Sequence, residues 1–216
     1  MSNQSNRPLI LVTNDDGIEA GGLRFLVETL LPIGDIVVVA PDRPMSGMGH
    51  AVTINQTLRM EKRQFSVEGV REAWQTSGTP VDCVKLAIYE ILGKKPDLLV
   101  SGINHGSNAS INVIYSGTMS AAVEGAVEGI PSIGFSLLNH DPEADFSACG
   151  PSIQTLAQEV LERGLPVGSC LNVNVPNIPL DAIQGIRICR QSAGYWEDAF
   201  DKRVSPGGST YFWMTG

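Results

Sequence analysis

The sequence predicts an α/β fold with a mostly parallel β-sheet and helices on both of its faces. Short apolar runs of strand length recur along the chain, longer segments with helical periodicity separate them, and polar loops follow several of the strands. Strands that alternate with helices are typical of βαβ units. The chain contains no internal repeat and no low-complexity segment.

The individual elements follow from periodicity. Predicted strands are short and rich in leucine and β-branched residues, and they cover residues 9–13, 36–40, 96–101, 133–137, 171–175 and 186–190. Predicted helices have one apolar face and cover residues 22–31, 80–92, 119–127 and 153–162. The second helix begins with Pro80, which suits the first turn of a helix because its missing N–H is not needed there.

Two regions break this alternation. Residues 55–75 contain strand-like runs at 57–60 and 64–67, which predict a small hairpin inserted in the α/β body. Residues 191–216 carry six aromatic side chains around a Pro-Gly-Gly turn and predict an extended hairpin. We therefore expect an α/β catalytic domain at residues 1–190 and a C-terminal oligomerisation hairpin at residues 191–216.

The last aromatic run, Tyr211-Phe212-Trp213, has no partner strand after it in the sequence. An uncovered apolar strand is an association hazard. We expect either that another subunit covers it or that the chain as given lacks its natural tail.

Composition limits the class of protein. Hydrophobic residues make up 43% and charged residues 18%, which is typical of a folded globular protein, and the net charge is −8. Such an acidic chain is not expected to bind duplex nucleic acid, but a small anionic substrate remains compatible because a bound cation can reverse the local field. The N-terminal segment MSNQSNRP is polar, so we expect no secretory signal, and no apolar run nears the roughly 20 residues that span a bilayer. We expect a cytoplasmic protein without membrane contact, and its four scattered cysteines predict reduced thiols.

Three polar loops follow predicted strands. The segment 14–17 follows the first strand, the segment 41–47 follows the second, and the segment 102–106 follows the third. The carboxyl ends of parallel strands line one crevice, where ligands bind. These loops are therefore predicted to converge on one site.

A pair of adjacent carboxylates, Asp15 and Asp16, belongs to the first of these loops. Two neighbouring carboxylates are costly to ionise together unless a cation neutralises them. With the Ser46 hydroxyl and the Asn104 amide oxygen they form an all-oxygen set that suits Mg²⁺, Mn²⁺ or Ca²⁺. The alternative is that Asp15 begins a turn or caps a helix while Asp16 faces solvent.

A candidate phosphate-binding segment, Ser116-Gly117-Thr118, opens a predicted helix. Free backbone N–H groups and hydroxyls at a helix N-terminus bind phosphate oxygens. The alternative is a plain N-cap. Asn108 can add an amide to the same oxygens or simply close its loop.

The histidines are predicted to lie on the surface or near the site rather than to bind a metal; they are His50, His105 and His140. The sequence contains no GxxxxGK[ST] motif, which would indicate an ATP-hydrolysing P-loop. It also contains no GxSxG motif, which would indicate an acyl-transfer serine.

Five blocks of this sequence together resemble the SurE family, the survival-protein 5'/3'-nucleotidases, and they occur in the family's order. They are the segments 11–18 (LVTNDDGI), 39–43 (VAPDR), 77–84 (SGTPVDCV), 100–104 (VSGIN) and 115–118 (YSGT), the last followed by Ala121-Ala122 and Glu124-Gly125. The likeness covers residues 9–137 and is weaker beyond them.

The resemblance implies a Rossmann-like body and a hydrolase that removes phosphate from nucleoside 5'- and 3'-monophosphates. It implies one divalent ion per subunit, Mg²⁺ or Mn²⁺, with Ca²⁺ able to replace it in a crystal. The implied ligands are Asp15, Asp16, Ser46 and Asn104. The implied phosphate- or substrate-binding residues are Asn14, Gly47, Asn108, Ser116, Gly117 and Thr118.

The same resemblance implies a C-terminal hairpin exchanged between subunits of a homodimer, which can pair into a homotetramer. Chains of the family usually continue beyond the segment that matches Tyr211-Phe212-Trp213, whereas the sequence here stops shortly after it. This departure affects the expected oligomer order more than the expected chemistry.

The mechanistic hypothesis is that the metal polarises a phosphoryl oxygen and binds the attacking water, while Asp15 or Asp16 accepts the proton. The helix N-terminus would hold the phosphate oxygens. One rival is a phosphatase that forms a phospho-aspartate. The haloacid-dehalogenase family, which has this chemistry, has one residue between its two aspartates, whereas Asp15 and Asp16 are adjacent. The other rival is a non-catalytic nucleotide or metal sensor on the same fold. The residues do not decide the base, the 5' or 3' position, or the metal.

Overall fold

The computed structural model describes residues 7–215. Its strands are β1 (Leu9–Thr13), β2 (Asp35–Pro41), β3 (Met60–Arg63), β4 (Glu72–Thr76), β5 (Leu98–His105), β6 (Ser132–Leu137), β7 (Leu171–Val175), β8 (Phe200–Val204) and β9 (Thr210–Met214). The first seven form one sheet in the order β3-β4-β2-β1-β5-β6-β7. Every neighbouring pair in this sheet is parallel except β3–β4. Strands β8 and β9 form a separate antiparallel hairpin.

Helices cover both faces of the large sheet. They are α1 (Gly21–Leu30), α2 (Pro80–Leu86), which continues as a π-helical turn over Ala87–Leu92, α3 (Gly117–Val127) and α4 (Gly150–Arg163). Short 3₁₀ turns lie at Ser110–Ile114, Ser147–Cys149 and Leu180–Ala182. No helix within residues 7–215 is long and apolar enough to cross a membrane.

The hydrophobic core has two halves, one on each side of the sheet. Ile10 and Val12 of β1 pack with the apolar side chains of α1 and α4. Leu9 and Leu11 of the same strand pack with those of α2 and α3. Successive side chains of a strand point to opposite faces, so a strand buried on both sides is apolar throughout. The Rossmann-like three-layer architecture expected from the sequence is confirmed.

Close contact between α1 and β5 depends on one glycine. A Cβ atom on Gly22 would lie 2.3 Å from the carbonyl oxygen of Ile103. A Cβ on the preceding Gly21 would meet nothing nearer than a ring atom of Phe146 at 4.0 Å. The absence of a side chain at Gly22 therefore sets how closely the helix approaches the strand.

Two details of the expected strand layout are wrong. The expected hairpin is present as the antiparallel pair β3–β4, but its strands are Met60–Arg63 and Glu72–Thr76 rather than the runs at 57–60 and 64–67, and β4 also pairs with β2, so the hairpin extends the main sheet. Strand β4 (EAWQT) is short and mostly polar, and its buried residues, Ala73 and Thr76, do not alternate along the strand, so its own sequence does not indicate a strand. Residues 186–190 form no strand, because no neighbouring strand is there to pair with them and Ile188 is fully exposed, at 100%.

Candidate active site

The polar loops that follow β1, β2 and β5 meet in a pocket of about 470 Å³ at the carboxyl ends of these strands. Polar and aromatic side chains line it together: Asp15, Asp16, Ser46, Gly47, Asn104, His105, Asn108, Asn112, Tyr115, Ser116, His140 and Trp196. The convergence expected from the sequence is therefore present.

Asp15 is the buried member of the acidic pair, with 3% of its surface exposed. Its Oδ1 accepts a hydrogen bond from the Thr118 hydroxyl, in the first turn of α3. Its side chain also packs on Gly117, where a Cβ would lie 2.6 Å from the Asp15 Cβ. Burial raises the pKa of Asp15, while the Thr118 hydroxyl and the nearby backbone amides act in the opposite direction. The N-terminus of α3 thus holds this carboxylate in place.

Asp16 is partly buried, and its Oδ2 is a buried atom without a hydrogen-bond partner among the described residues. Burial, and then the charge of Asp15, raises the pKa of Asp16 from 3.8 to about 7. An unpaired buried carboxylate oxygen is costly, and a cation would satisfy it. The pair is therefore arranged as it would be for a positive ligand.

Asn104 reaches the pocket from a distortion in β5. Pairing with β6 runs regularly to Ser101–Gly134 and resumes at Asn104–Ser136, which leaves one extra residue in β5. Such bulges redirect side chains near functional sites. The Asn104 Nδ2 donates to the carbonyls of His105 and Gly106, at 2.9 and 3.0 Å. The atom left for a ligand is Oδ1, the kind of oxygen that a hard cation binds.

Ser46 lies on the exposed loop after β2. This loop is tied to the acidic pair by the backbone N–H of Met45, which donates to the Asp15 carbonyl at 2.7 Å. No group of three or more His, Cys, Asp or Glu side chains within residues 7–215 is arranged to hold a metal. A metal in this pocket would therefore bind two carboxylates and neutral oxygens, a set that fits Mg²⁺ or Mn²⁺ rather than a thiolate- or imidazole-rich zinc site.

Asn108 is buried and held by side chains of β6 and β7. Its Nδ2 donates to Ser136 Oγ at 2.7 Å, and its backbone N–H donates to Asn174 Oδ1 at 2.9 Å. Asn172 Nδ2 donates to the Asn108 carbonyl at 2.8 Å. The sequence reasoning missed this support, although two asparagines alternating in the apolar strand Leu171–Val175 were a usable signal.

Three of the candidate substrate-binding residues do not line the pocket. The Asn14 side chain closes its own turn, because its Nδ2 donates to the Gly17 carbonyl at 2.9 Å and its Oδ1 accepts from the Gly17 N–H at 3.2 Å. Gly117 and Thr118 lie beneath Asp15. The structure thus places these three around the acidic pair rather than in the pocket wall.

Ser116 is the N-cap of α3 and also lines the pocket. Its hydroxyl accepts a hydrogen bond from the Met119 N–H at 3.0 Å, as an N-cap does. Gly47 lines the pocket as expected, and Asn112 and Trp196 line it without having been anticipated.

The histidines separate into two groups. His105 and His140 line the pocket, and His140 packs against Gly106, where a Cβ would lie 2.1 Å from its ring. His50 lies outside the pocket lining, and its Nε2 bonds to the buried Glu124 of α3 at 2.8 Å. Glu124 also pairs with Lys85 of α2.

Comparison with known proteins shows the family of this chain. A family model described as "Survival protein SurE" matches residues 10–198. The chain is 57% identical to 5'-nucleotidase SurE of Christiangramia forsetii, over 97% of this chain and 81% of that one. It is 59% identical to 5'-nucleotidase SurE of Flavobacterium psychrophilum, over 98% and 82%. The crystal structure of the SurE protein from Aquifex aeolicus superposes with a TM-score of 0.81 and 39% identity, covering 96% of this chain and 82% of that one.

The fold and the site together define the class of protein to which this chain belongs. It is a Rossmann-like α/β protein with a pocket that contains an acidic pair at the carboxyl ends of its central strands. Within that class, the match over most of its length and the high identity to these relatives place the chain in the SurE family.

Proposed function

We propose that this protein is a metal-dependent nucleotidase that hydrolyses nucleoside monophosphates to nucleoside and inorganic phosphate. The observation that carries the proposal is the Asp15-Asp16 pair: Asp16 Oδ2 is buried without a hydrogen-bond partner among the described residues, and Ser46 and Asn104 line the same pocket. Relatives named 5'-nucleotidase SurE, at up to 59% identity, support the substrate class.

One divalent ion per chain, Mg²⁺ or Mn²⁺, would be held by Asp15, Asp16, Ser46 and Asn104. When bound, it supplies positive charge that offsets the phosphate charge and makes a water molecule more acidic. The protein's own contribution is to fix the ligands: Thr118 and the start of α3 hold Asp15, and two backbone carbonyls orient Asn104.

Proton transfer falls to the acidic pair. Asp15 accepts a hydrogen bond from Thr118 at Oδ1, and Asp16 Oδ2 has no hydrogen-bond partner within residues 7–215. Either aspartate would accept the proton from the attacking water. Gly47, Asn108 and Ser116 line the same pocket, where they would contact the phosphate oxygens.

The test is a phosphate-release screen over the common 5'- and 3'-nucleoside monophosphates, in EDTA and with added Mg²⁺ or Mn²⁺. We expect release that requires the metal and is lost in Asp15→Asn and Asp16→Asn. Stoichiometric nucleotide binding without release would instead indicate a sensor. A phosphoryl group trapped on either aspartate would instead indicate covalent catalysis and would contradict direct attack by a metal-activated water.

The proposal includes a homodimer, able to pair into a homotetramer, that forms by exchange of the β8–β9 hairpin. In support, this hairpin stands apart from the main sheet and exposes aromatic side chains; Phe200, Phe212 and Trp213 are 60%, 58% and 59% exposed. Light scattering should give a dimer or tetramer mass for the wild type and a smaller mass for Phe212→Asp. A monomeric wild type at micromolar concentration would contradict the proposal.

A further inference from the structure

The pocket has two chemically different parts. Polar residues line it, among them Asp15, Asp16 and Asn104, and so do two large aromatic side chains, Tyr115 and Trp196. Each of these two residues keeps 51% of its surface exposed. Half-exposed aromatic side chains beside an oxygen-lined pocket present an unused apolar surface to a ligand.

Trp196 reaches the pocket from a segment without regular secondary structure, residues 183–199. Contacts with the 3₁₀ turn Ser110–Ile114 hold this segment close. The Gln191 side-chain N–H donates to the Ser110 carbonyl, and a Cβ on Gly194 would lie 2.4 Å from Ser110 Oγ. The position of Trp196 is therefore set by two contacts just before it in the chain rather than by a helix or strand.

The neighbouring aromatic residue provides a contrast. Tyr195 is 90% exposed and does not line the pocket. Of these two neighbouring aromatic residues, only one lines the pocket. Trp196 is the one that does.

We propose that Trp196 is the residue on which the nucleobase stacks when the phosphate lies at the acidic pair. This inference rests on the proposed function, because it assumes a nucleotide in the pocket. A planar indole suits this role because every base has an aromatic face, so stacking binds all bases without distinguishing them by hydrogen bonds. A nucleotidase with this contact accepts both purine and pyrimidine monophosphates, with purines bound more tightly because their stacking area is larger.

The test compares Trp196→Ala with the control Tyr195→Ala, using AMP, CMP and ribose 5-phosphate, which has the sugar phosphate without a base. Removing one stacking contact should raise the KM and the Kd for AMP by about 10- to 100-fold, with a smaller effect for CMP. The kcat should stay within about twofold, since the phosphate site is intact. Ribose 5-phosphate should be unaffected, Trp196→Phe should recover most of the affinity, and Tyr195→Ala should behave as the wild type.

Calorimetric binding of a phosphonate analogue of AMP, in which a methylene group replaces the ester oxygen, separates this inference from the proposed function when it is measured with Mn²⁺ beside AMP hydrolysis, because the analogue binds without turnover. If the analogue binds but AMP is not hydrolysed, and Trp196→Ala weakens that binding, the nucleotidase proposal fails and the stacking role stands. If Trp196→Ala binds and hydrolyses AMP as the wild type does, or loses ribose 5-phosphate and AMP equally, the stacking role is overturned. A wild type that does not bind AMP at all overturns both.

Discussion

Replacing Asp16 by asparagine should stabilise the metal-free protein at pH 8 even though it removes activity. The pKa of Asp16 is raised by burial and by Asp15 from 3.8 to about 7, so the folded state resists its ionisation. A shift of this size corresponds to about 4 kcal/mol at about 1.4 kcal/mol per unit, and partial exposure of the side chain reduces it to about 2 kcal/mol. Asparagine has nearly the same shape and no charge, so the variant avoids this cost.

The sign of the pH dependence follows from the same shift. A carboxyl group whose folded pKa lies above its unfolded value binds more protons in the folded state, so stability is lost as pH rises. For Asp16 the loss should occur between about pH 4 and pH 7, and the advantage of Asp16→Asn should grow over that range. Asp15, whose pKa burial also raises, should leave a residual slope in the variant.

The assay is thermal or urea unfolding in EDTA at pH 4, 6 and 8, with the exposed Asp181→Asn as control. For a protein of this size, about 2 kcal/mol should raise the Tm of Asp16→Asn at pH 8 by about 4–8 °C. Saturating Mn²⁺ should reverse the order, since about 100-fold excess over Kd adds about 2.7 kcal/mol to a protein that binds it. A variant less stable than the wild type in EDTA at pH 8, or a gap that is the same at pH 4, would refute the reasoning.

Two further substitutions test how the site and its scaffold are built. Thr118→Val removes the hydroxyl that donates to the buried Asp15, so it should lower the free energy of unfolding by about 1–3 kcal/mol and raise the Mn²⁺ concentration needed for half-maximal activity. Thr118→Ser keeps the hydroxyl and should change neither quantity. Equal effects of the two substitutions would contradict this role of Thr118. Gly22→Ala would place a Cβ 2.3 Å from the Ile103 carbonyl oxygen and should destabilise the protein by more than about 2 kcal/mol in urea unfolding. Gly21→Ala, one residue earlier with open space, should be neutral or stabilising by up to about 1 kcal/mol, and a similar loss in both variants would argue against the close contact.

Local patterns predicted most of the scaffold because its strands are buried on both faces. An apolar run such as Leu9–Thr13 has few alternatives to a central parallel strand, and the helices carry clear apolar faces. The polar β4 escaped detection because its pairing with β2, not its own composition, makes it a strand. The prediction of a strand at residues 186–190 was wrong for the converse reason. These residues have a composition typical of a strand, but no neighbouring strand pairs with them.

The site was predictable to the extent that it lies at strand ends. Topology alone brings Asp15, Asp16 and Asn104 together, because they follow or end adjacent parallel strands. The contact between Asp15 and Thr118 spans 103 residues, and no local pattern announces it. Trp196 was missed because the irregular segment that carries it has no periodicity from which its direction could be inferred.

Direct titration of Mn²⁺ into the metal-stripped protein, with phosphate release from AMP measured on the same samples, tests the central claim most directly. We predict one ion bound per chain, activity that rises along the binding curve, and loss of both in the Asp15→Asn/Asp16→Asn double variant. Unchanged Mn²⁺ binding in that variant, or undiminished phosphate release in EDTA, would contradict the assignment of the acidic pair as the metal site.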